Sequence, residues 1–114
     1  MTDAITDDID ELIPASHISL SEPPAEKAAC IESLLDLVVE SGRVDDRQAA
    51  LDALMEREQE TTTGVGMGIG IPHAKTGAVD RPSLAFTRSE SGVDFGSMDG
   101  EPATLVFLIL VPEA

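Results

Sequence analysis

TTTGVGMGIGIPHAK, residues 61–75, places glycine at every second position from Gly64 to Gly70. Successive side chains of a strand point to opposite faces, so an extended conformation predicts one apolar face packed on a core and one face of bare backbone. Glycine inside a strand is typical of a close approach by a ligand or another backbone. Pro72 ends the strand and fixes the direction in which His73 leaves it. The stretch therefore predicts one imidazole presented at an accessible strand end.

The composition predicts one small domain, residues 1–114. With 42% hydrophobic residues and only three phenylalanines, aliphatic side chains must build most of a modest core. The longest apolar run, Leu105–Val111, is far too short to span a bilayer, and the acidic N-terminus does not have the pattern of a signal peptide. Cys30 is the only cysteine, which rules out an intrachain disulfide. These features predict a cytoplasmic protein without membrane insertion.

The chain is strongly acidic. Its 22 acidic and 7 basic residues give a formal net charge of −15. Binding to DNA or RNA phosphates requires clustered cations, so the composition excludes a nucleic-acid partner. Because the acids are spread along the chain, we interpret them as adaptation to a high-salt cytoplasm rather than as an acidic interaction tail. Halophilic, salt-dependent folding is the corresponding prediction.

The first predicted helix follows a serine and two prolines. Ser21 is a suitable N-cap, with Pro23 and Pro24 in the first turn, where a missing N–H has little cost. Gly42 suits the left-handed residue that ends a helix. The apolar residues between these signals recur at helical spacing: Ile31, Leu34, Leu35, Val38 and Val39.

The second helix is predicted from about Asp46 to Glu58. Asp45 followed by Gln48 resembles a capping box that has aspartate in place of serine or threonine. Arg57 either offsets the negative end of the helix dipole or, set just before the glycine-rich stretch, reaches the same site as His73. Both alternatives fit the sequence. The side chains expected to be buried are Ala50, Leu51, Leu54 and Met55.

The remaining segments predict strands. Ser83–Arg88 has alternating character, Gly92–Phe95 is a short extended piece, and residues 13–20 either form a short entry strand or lie on the body of the domain. Ala103–Val111 is nearly all apolar, as in a strand buried on both faces. Such strands belong to sheets covered by helices on both sides, so we predict an α/β domain. The sequence stops at Ala114, and we expect the domain to be incomplete at its C-terminus.

Two other reactive side chains receive structural interpretations. His17 has no candidate ligand or partner nearby in sequence and is interpreted as a surface histidine. Cys30 lies beside the apolar stripe of the first helix and is interpreted as a small buried hydrophobe rather than a nucleophile. Neither is assigned a functional role.

Known phosphate-binding and metal-binding motifs do not fit the glycine-rich stretch. A dinucleotide-binding G-x-G-x-x-G needs glycine where Ile69 or Ile71 stands, and a P-loop needs glycine at Ile69 and Ala74. A zinc site needs more than one well-placed ligand, and a Ser-His-Asp hydrolase needs a G-x-S-x-G elbow. The sequence therefore predicts no cofactor and no metal.

A single accessible histidine at a glycine-rich strand end suits phosphoryl transfer. Histidine is uncharged and nucleophilic near neutral pH, and its ring can hold a phosphoryl group as a phosphoramidate. Phosphoryl transfer mainly requires alignment and charge neutralisation. Backbone N–H groups, an arginine such as Arg57, and the hydroxyls of Thr61, Thr62 and Thr63 are the candidate donors.

The segment from Arg57 to His73, REQETTTGVGMGIGIPH, closely resembles the fructose/mannitol-type enzyme IIA domain of the phosphoenolpyruvate-dependent sugar phosphotransferase system. Val93-Asp94-Phe95 and Asp99–Pro102, which leads into the apolar run Leu105–Pro112, are also similar to that family. The resemblance covers most of the chain from the first helix onward.

The resemblance implies a role for three residues. His73 matches the family's phosphorylated histidine, which carries the phosphoryl group on Nε2, Arg57 matches its active-site arginine, and Thr63 matches its small hydroxyl residue in the site. It also implies a mixed β-sheet flanked by helices and a phosphotransferase activity. The phosphoryl group would come from a histidine of the carrier protein HPr and pass to a cysteine of enzyme IIB. The fructose branch is the most similar, which implies fructose uptake.

One departure from the family concerns a second histidine. The family has a second active-site histidine shortly after the apolar strand and its proline, and the sequence ends at Ala114, before that position. If the sequence is the whole protein, the resemblance predicts weakened transfer; if it is a fragment, the missing part also supplies the covering helices.

Three functions stay open at this point. The first is a sugar phosphocarrier, and the second is a regulatory IIA protein of the nitrogen type that binds target proteins. The third is a structural α/β binding module in which His73 only packs or hydrogen bonds. The sequence does not predict the oligomeric state.

Overall fold

A computed structural model describes residues 13–60 and 62–113 as two helices and a six-stranded mixed sheet. Residues 1–12, Thr61 and Ala114 lie outside the described residues. The elements are a 3₁₀ turn (Ala15–His17), helices α1 (Lys27–Glu40) and α2 (Arg47–Glu60), and strands β1 (Ile18–Ser19), β2 (Gly64–Gly66), β3 (Ile69–Gly70), β4 (His73–Lys75), β5 (Ser83–Val93) and β6 (Ala103–Val111).

Strand β6 is central in the sheet, whose strand order is β1-β5-β6-β3-β2, with β4 also paired to β6. β5 is antiparallel to β6, and β1 adds a short parallel partner to β5. On the other side of β6, β3 and β4 lie end to end as one interrupted parallel strand, with Ile71 and Pro72 between them. The predicted bounds of the strand Ala103–Val111 are confirmed. Of the two alternatives for residues 13–20, the structure shows a short entry strand, limited to Ile18–Ser19.

Both helices pack on one face of the sheet. Residues paired across neighbouring strands share a face, so Ala85 lies with Leu108, and Ala74 lies with Leu110. These four residues are buried and form one core with the helices. The helical residues of that core are Cys30, Ile31, Leu34, Leu35, Val38, Ala50 and Leu54.

The opposite face of the sheet carries half-buried apolar side chains, including Leu84, Phe86, Phe107 and Ile109. The rings of Phe86 and Phe107 lie 4.9 Å apart between centroids. The α/β class and the mixed sheet are confirmed. Within residues 13–60 and 62–113, the helices cover only the Ala85 face, so the expected helices on the second face are not seen there.

Both helices begin later than the sequence predicted. Ser21 does not cap α1; Glu26 does, and its carboxylate accepts the N–H of Ala28 at 3.0 Å. The two prolines precede the helix because the residue before a proline disfavours helical backbone. α2 is capped by Asp46 rather than Asp45, through an N–H of its first turn. Neither described helix is long and apolar enough to cross a membrane.

The glycine-rich stretch forms a hairpin, and the prediction of one extended strand was wrong. β2 and β3 pair antiparallel around a turn at Met67 and Gly68. Gly66, Met67 and Gly68 have positive φ angles of 87°, 56° and 78°. Glycine adopts such left-handed angles at little cost, so the chain reverses here. Val65 and Met67 are consequently 57% and 84% exposed instead of packing on the core.

The bare backbone of the hairpin makes room for the protein's own side chains. A Cβ added at Gly64 would overlap Ser97 and lie 2.9 Å from the Cβ of Phe95. A Cβ at Gly70 would lie 3.2 Å from the Phe95 ring, which is fully buried. The glycines at these two positions therefore allow Phe95 and Ser97, which follow β5, to pack closely on the hairpin. The sequence had suggested that a ligand or another backbone would approach there.

His17 is buried, and its interpretation as a surface histidine was wrong. Nδ1 lies 2.8 Å from the Leu84 carbonyl oxygen, and Nε2 lies 2.6 Å from the Ser41 hydroxyl oxygen. Both partners are distant in sequence, which is why the sequence did not indicate them. Burial, and secondarily the positive charge of Arg43, lower the pKa of this imidazole, against the opposing effect of the Leu84 carbonyl.

The stability of the fold should decrease as the pH falls below about 6.5, the ordinary pKa of histidine. Because the pKa of His17 is lowered in the folded state, only the unfolded chain binds a proton at this position just below that pH. The free energy of unfolding should therefore fall by at most about 1.4 kcal/mol per pH unit between the unfolded-state and folded-state pKa. Urea unfolding at about pH 7 and about pH 5.5 measures the loss.

The matched variant for this prediction is His17→Gln, which should show a flatter pH profile in the same window. The carboxyl groups of Glu22 and Asp99 do not confuse the comparison. Hydrogen bonds, chiefly from the Ser89 hydroxyl and the Met67 N–H respectively, lower the pKa of each, so their contribution is lost only at more acidic pH. An equally steep profile in His17→Gln would show that another group is responsible.

Candidate functional site

His73 occupies the first position of β4, where the chain leaves the hairpin and runs along β6. It is paired with Ile109, whose N–H donates to the Pro72 carbonyl at 3.0 Å. Pro72 is buried, whereas the imidazole is half-buried. The backbone before the histidine is therefore fixed while the ring stays accessible.

The backbone also selects the tautomer of His73. Nδ1 lies 2.7 Å from the carbonyl oxygen of Ile71. Because a carbonyl oxygen can only accept a hydrogen bond, Nδ1 is the atom that carries the proton in the neutral ring. Nε2 is left with a lone pair and is the nucleophilic atom of the ring.

Arg57 and His73 line the same open cleft, of about 430 Å³. α2 runs past β4, so side chains on one face of this helix reach the strand. The Nη1 atom of Arg57 is buried there without a hydrogen-bond partner among the described residues. The guanidinium group therefore has an unused donor beside the cleft. The lining residues are Ala53, Glu56, Arg57, Glu60, His73, Ala74 and Lys75.

The cleft holds charges of both signs. Arg57 and Lys75 are the cations, and the exposed carboxylates of Glu56 and Glu60 oppose them. A neighbouring cleft of about 440 Å³ shares Lys75 and Glu56 but is also lined by Asp45, Asp46, Asp52 and Glu113. An anion is repelled by that acidic cleft and is stabilised best beside Arg57.

Thr63 does not line the cleft, because its polar groups are bonded to Glu58. Its hydroxyl donates to one carboxylate oxygen at 2.5 Å and its N–H to the other at 3.0 Å. Its carbonyl accepts the N–H of Ile71 at 2.9 Å. The structure thus places Thr63 outside the cleft, connected to His73 through the N–H and the carbonyl of Ile71.

The other donors proposed from the sequence are also used within the protein. The Thr62 hydroxyl donates to the Phe95 carbonyl and accepts the N–H of Gly64. The N–H of Met67 donates to the carboxylate of Asp99 at 2.9 Å. Thr61 lies outside the described residues. Of the candidate donors within residues 13–60 and 62–113, Arg57 is the one that shares the cleft with His73.

Sequence reasoning missed the neighbours of Arg57 on α2. Ala53 and Glu60 lie four and three residues from Arg57, so they share its face of the helix, and this spacing could have found them, whereas Glu56 is its direct neighbour in sequence. Glu58 gives no such signal, since it points to the buried side. Within the described ranges, no group of three or more His, Cys, Asp or Glu side chains is placed to hold a metal ion.

An α/β domain that has a nucleophilic histidine nitrogen and, in the same open cleft, an arginine whose Nη1 has no partner among the described residues defines a protein suited to carry a phosphoryl group on histidine. The chain belongs to the EIIA 2 family of the phosphoenolpyruvate-dependent sugar phosphotransferase system, whose family model matches residues 11–114. The resemblance seen from Arg57 to His73 is thereby confirmed. Membership makes the chain a component of a phosphotransfer system.

Relatives with different specificities share the sequence and the fold. A fructose-specific EIIA component from Haloferax volcanii is 64% identical over 107 residues, 94% of this chain and 70% of the relative. The nitrogen regulatory protein IIA-Ntr from Neisseria meningitidis matches with a TM-score of 0.84 at 34% identity, covering 93% of this chain and 72% of that one. Enzyme IIAMTL, in its complex with phosphorylated enzyme IIBMTL from Escherichia coli, matches with a TM-score of 0.77 at 26% identity, covering 89% and 72%.

Proposed function

We propose that this chain is a phosphocarrier that accepts a phosphoryl group from phosphorylated HPr on Nε2 of His73 and passes it to a cysteine of enzyme IIB in fructose uptake. The observation that carries the proposal is the hydrogen bond of Nδ1 to the Ile71 carbonyl, which leaves Nε2 free in the cleft of Arg57. If Nε2 rather than Nδ1 donated this hydrogen bond, the ring would present no nucleophilic nitrogen to that cleft.

The chemistry uses few groups. A bond forms between Nε2 of His73 and phosphorus while the bond from phosphorus to the donor histidine breaks, and the departing nitrogen keeps the electron pair. The Ile71 carbonyl stabilises the positive charge that develops on the ring, and Arg57 neutralises the phosphoryl oxygens. In the second transfer, a cysteine thiolate attacks phosphorus and Nε2 recovers its lone pair.

The names of the relatives support the substrate and one partner. The Haloferax volcanii relative is fructose-specific, and its 64% identity favours the same sugar for this chain. The IIAMTL structure was solved with a phosphorylated enzyme IIB, which supports an enzyme IIB as the acceptor here. The proposal keeps the cytoplasm as the place of the reaction, as the sequence predicted.

The direct test is incubation of the chain with phosphorylated HPr, followed by intact-mass spectrometry. The expected result is a gain of one phosphoryl group that is labile in acid, as a phosphoramidate is, and that disappears when enzyme IIB of a fructose system is added. No mass gain would refute the carrier function and would leave the structural binding module as the explanation.

A second candidate is a regulatory IIA protein of the nitrogen type. The TM-score of 0.84 with the IIA-Ntr structure favours it, because the two chains share the fold at 34% identity. The addition of enzyme IIB separates the two candidates. A carrier loses its phosphoryl group to enzyme IIB, whereas a regulator is phosphorylated by HPr but keeps the group in the presence of enzyme IIB.

We also propose that the fold is adapted to high salt. The net charge of −15 supports this, as does the relative from Haloferax volcanii. Raising the salt from about 0.1 M to about 1 M shortens the Debye length from about 10 Å to about 3 Å and so weakens repulsion between the carboxylates.

The thermal midpoint, followed by far-UV circular dichroism, should rise by at least about 5 °C over this salt range. A variant with Glu40, Glu90 and Glu101 replaced by glutamine loses three exposed charges and should need less salt. A midpoint that stays constant or falls between the two salt concentrations would refute the adaptation.

A further inference from the structure

Glu58 is a buried acid one residue from Arg57 on α2. Its side chain is only 3% exposed and its carboxylate binds three donors. Lys27, at the start of α1, lies 3.2 Å from one oxygen, which also accepts the N–H of Thr63. The other oxygen accepts the hydroxyl of Thr63. A buried carboxylate is costly unless it is paired and hydrogen-bonded, and here both conditions hold.

The bonds from Glu58 continue to the ring of His73. Thr63 accepts the N–H of Ile71 at 2.9 Å through its carbonyl. Ile71 in turn accepts the Nδ1–H of His73 at 2.7 Å. Two residues, Thr63 and Ile71, therefore join the carboxylate of Glu58 to the imidazole, and at Ile71 the path passes from the N–H through Cα to the carbonyl.

The hydrogen bond between Thr63 and Ile71 lies at the base of the hairpin. Its strands contain only three and two residues, and four of its seven positions, 64–70, are glycine, which gives up much conformational freedom on folding. Pairing with β6 fixes the Ile71 side of the hairpin base, whereas β2 pairs only with β3, so the Thr63 side has no further partner strand. The bond between Thr63 and Ile71 closes that base, and Glu58 fixes Thr63 through two further bonds.

We propose that Glu58 is a positioning residue for His73: it holds Thr63, Thr63 holds the N–H of Ile71, and the carbonyl of the same residue keeps the proton of His73 on Nδ1. Lys27 neutralises the carboxylate so that it can stay buried. Because Glu58 and Arg57 are adjacent on α2, the same helix turn sets the guanidinium and, through this path, the tautomer of the nucleophile. The effect on transfer rests on the proposed function, whereas the effect on the tautomer does not.

The test is Glu58→Gln, which keeps the size of the side chain but replaces one accepting oxygen with an NH₂ donor. Ring ¹⁵N NMR of the unphosphorylated protein reports the tautomer of His73. The wild type should carry the proton on Nδ1, and the variant should show a mixture with the Nε2–H form. The rate of phosphoryl uptake from HPr should fall about tenfold to hundredfold, the usual effect of removing the partner that orients a functional histidine.

Glu60→Gln is the matched control. It removes the same charge two residues along α2, from an exposed side chain that lines the cleft itself. This variant should keep the Nδ1–H tautomer. If both variants lost rate and neither changed the tautomer, the loss would come from the removed negative charge and not from the position of the ring. That result would overturn the proposal.

Thr63→Val and Thr63→Ser provide a second test if Glu58→Gln does not fold. Valine removes the hydroxyl bond to Glu58 and should shift the tautomer in the same direction, whereas serine keeps the bond and should restore the wild-type ring spectrum. A folded Thr63→Val or Glu58→Gln with the wild-type tautomer and rate would refute the positioning role. A shifted tautomer in a protein that HPr does not phosphorylate, even as wild type, would instead refute the proposed function.

Discussion

His73→Asn is expected to take up no phosphoryl group from phosphorylated HPr and to keep its fold. The amide nitrogen of asparagine reaches the position of Nδ1 and can donate to the Ile71 carbonyl, which lies 2.7 Å from Nδ1 in the native protein. Nothing in asparagine replaces the lone pair of Nε2. The expected loss is therefore complete at the level of intact-mass detection, while the urea unfolding midpoint stays close to that of the wild type.

Among the described residues, neither the cysteine nor the second histidine is placed to substitute for His73. Burial raises the pKa of the Cys30 thiol to about 11, and this side chain is fully enclosed in the core, as the sequence predicted. His17, the other histidine of the chain, is also buried. His17→Gln is thus the matched control and should be phosphorylated normally. Residual phosphorylation of His73→Asn, mapped by peptide sequencing, would transfer the acceptor role to another residue.

The elements that the sequence predicted correctly are those whose signal is local. β6 is a run of apolar, β-forming residues with the predicted bounds, and α1 buries the predicted stripe from Ile31 to Val38. In both cases the apolar residues that mark the element lie inside it, so its sequence alone is sufficient to predict it. The sequence predicted the wrong N-cap for both helices. The caps are Glu26 and Asp46, and each lies a few residues or less after the polar residue that was predicted.

The hairpin shows why a local pattern was insufficient. Alternating glycine and apolar residues over 64–71 have the period of a strand, so the pattern indicated one. The interactions that hold the hairpin come from about thirty residues later, where Asp99 binds the Met67 N–H and Phe95 packs on Gly70. Nothing within the stretch indicates these partners.

The candidate site was predictable in its residue types but not in its connections. His73 and Arg57 were both singled out, and the packing of α2 beside β4 places them in one cleft. The role of Thr63 was expected to be a direct one, whereas the structure places its hydroxyl on Glu58. Such connections depend on backbone geometry across the hairpin base, which the order of residues does not reveal.

Arg57→Ala is expected to slow phosphoryl uptake about a hundredfold to a thousandfold, the usual effect of removing one donor that stabilises a developing anion. The buried Nη1 of Arg57 has no partner among the described residues, so the substitution breaks no described hydrogen bond of this atom, and stability should change little. Glu56 and Glu60 would then face the incoming phosphoryl group with only Lys75 to oppose them. Rapid-quench measurement of uptake from phosphorylated HPr, with urea unfolding as the stability readout, tests both expectations.

Arg57→Lys and Arg88→Ala make the comparison specific. Lysine keeps the charge but not the planar fork of donors, so Arg57→Lys should recover only part of the rate. Arg88 is exposed on β5, and its loss removes the same charge from the chain without touching the cleft. A hundredfold loss in Arg88→Ala would show that net charge governs the encounter with HPr. A wild-type rate in Arg57→Ala would mean that the phosphoryl group is neutralised by other donors, and the proposed role of this arginine would be wrong.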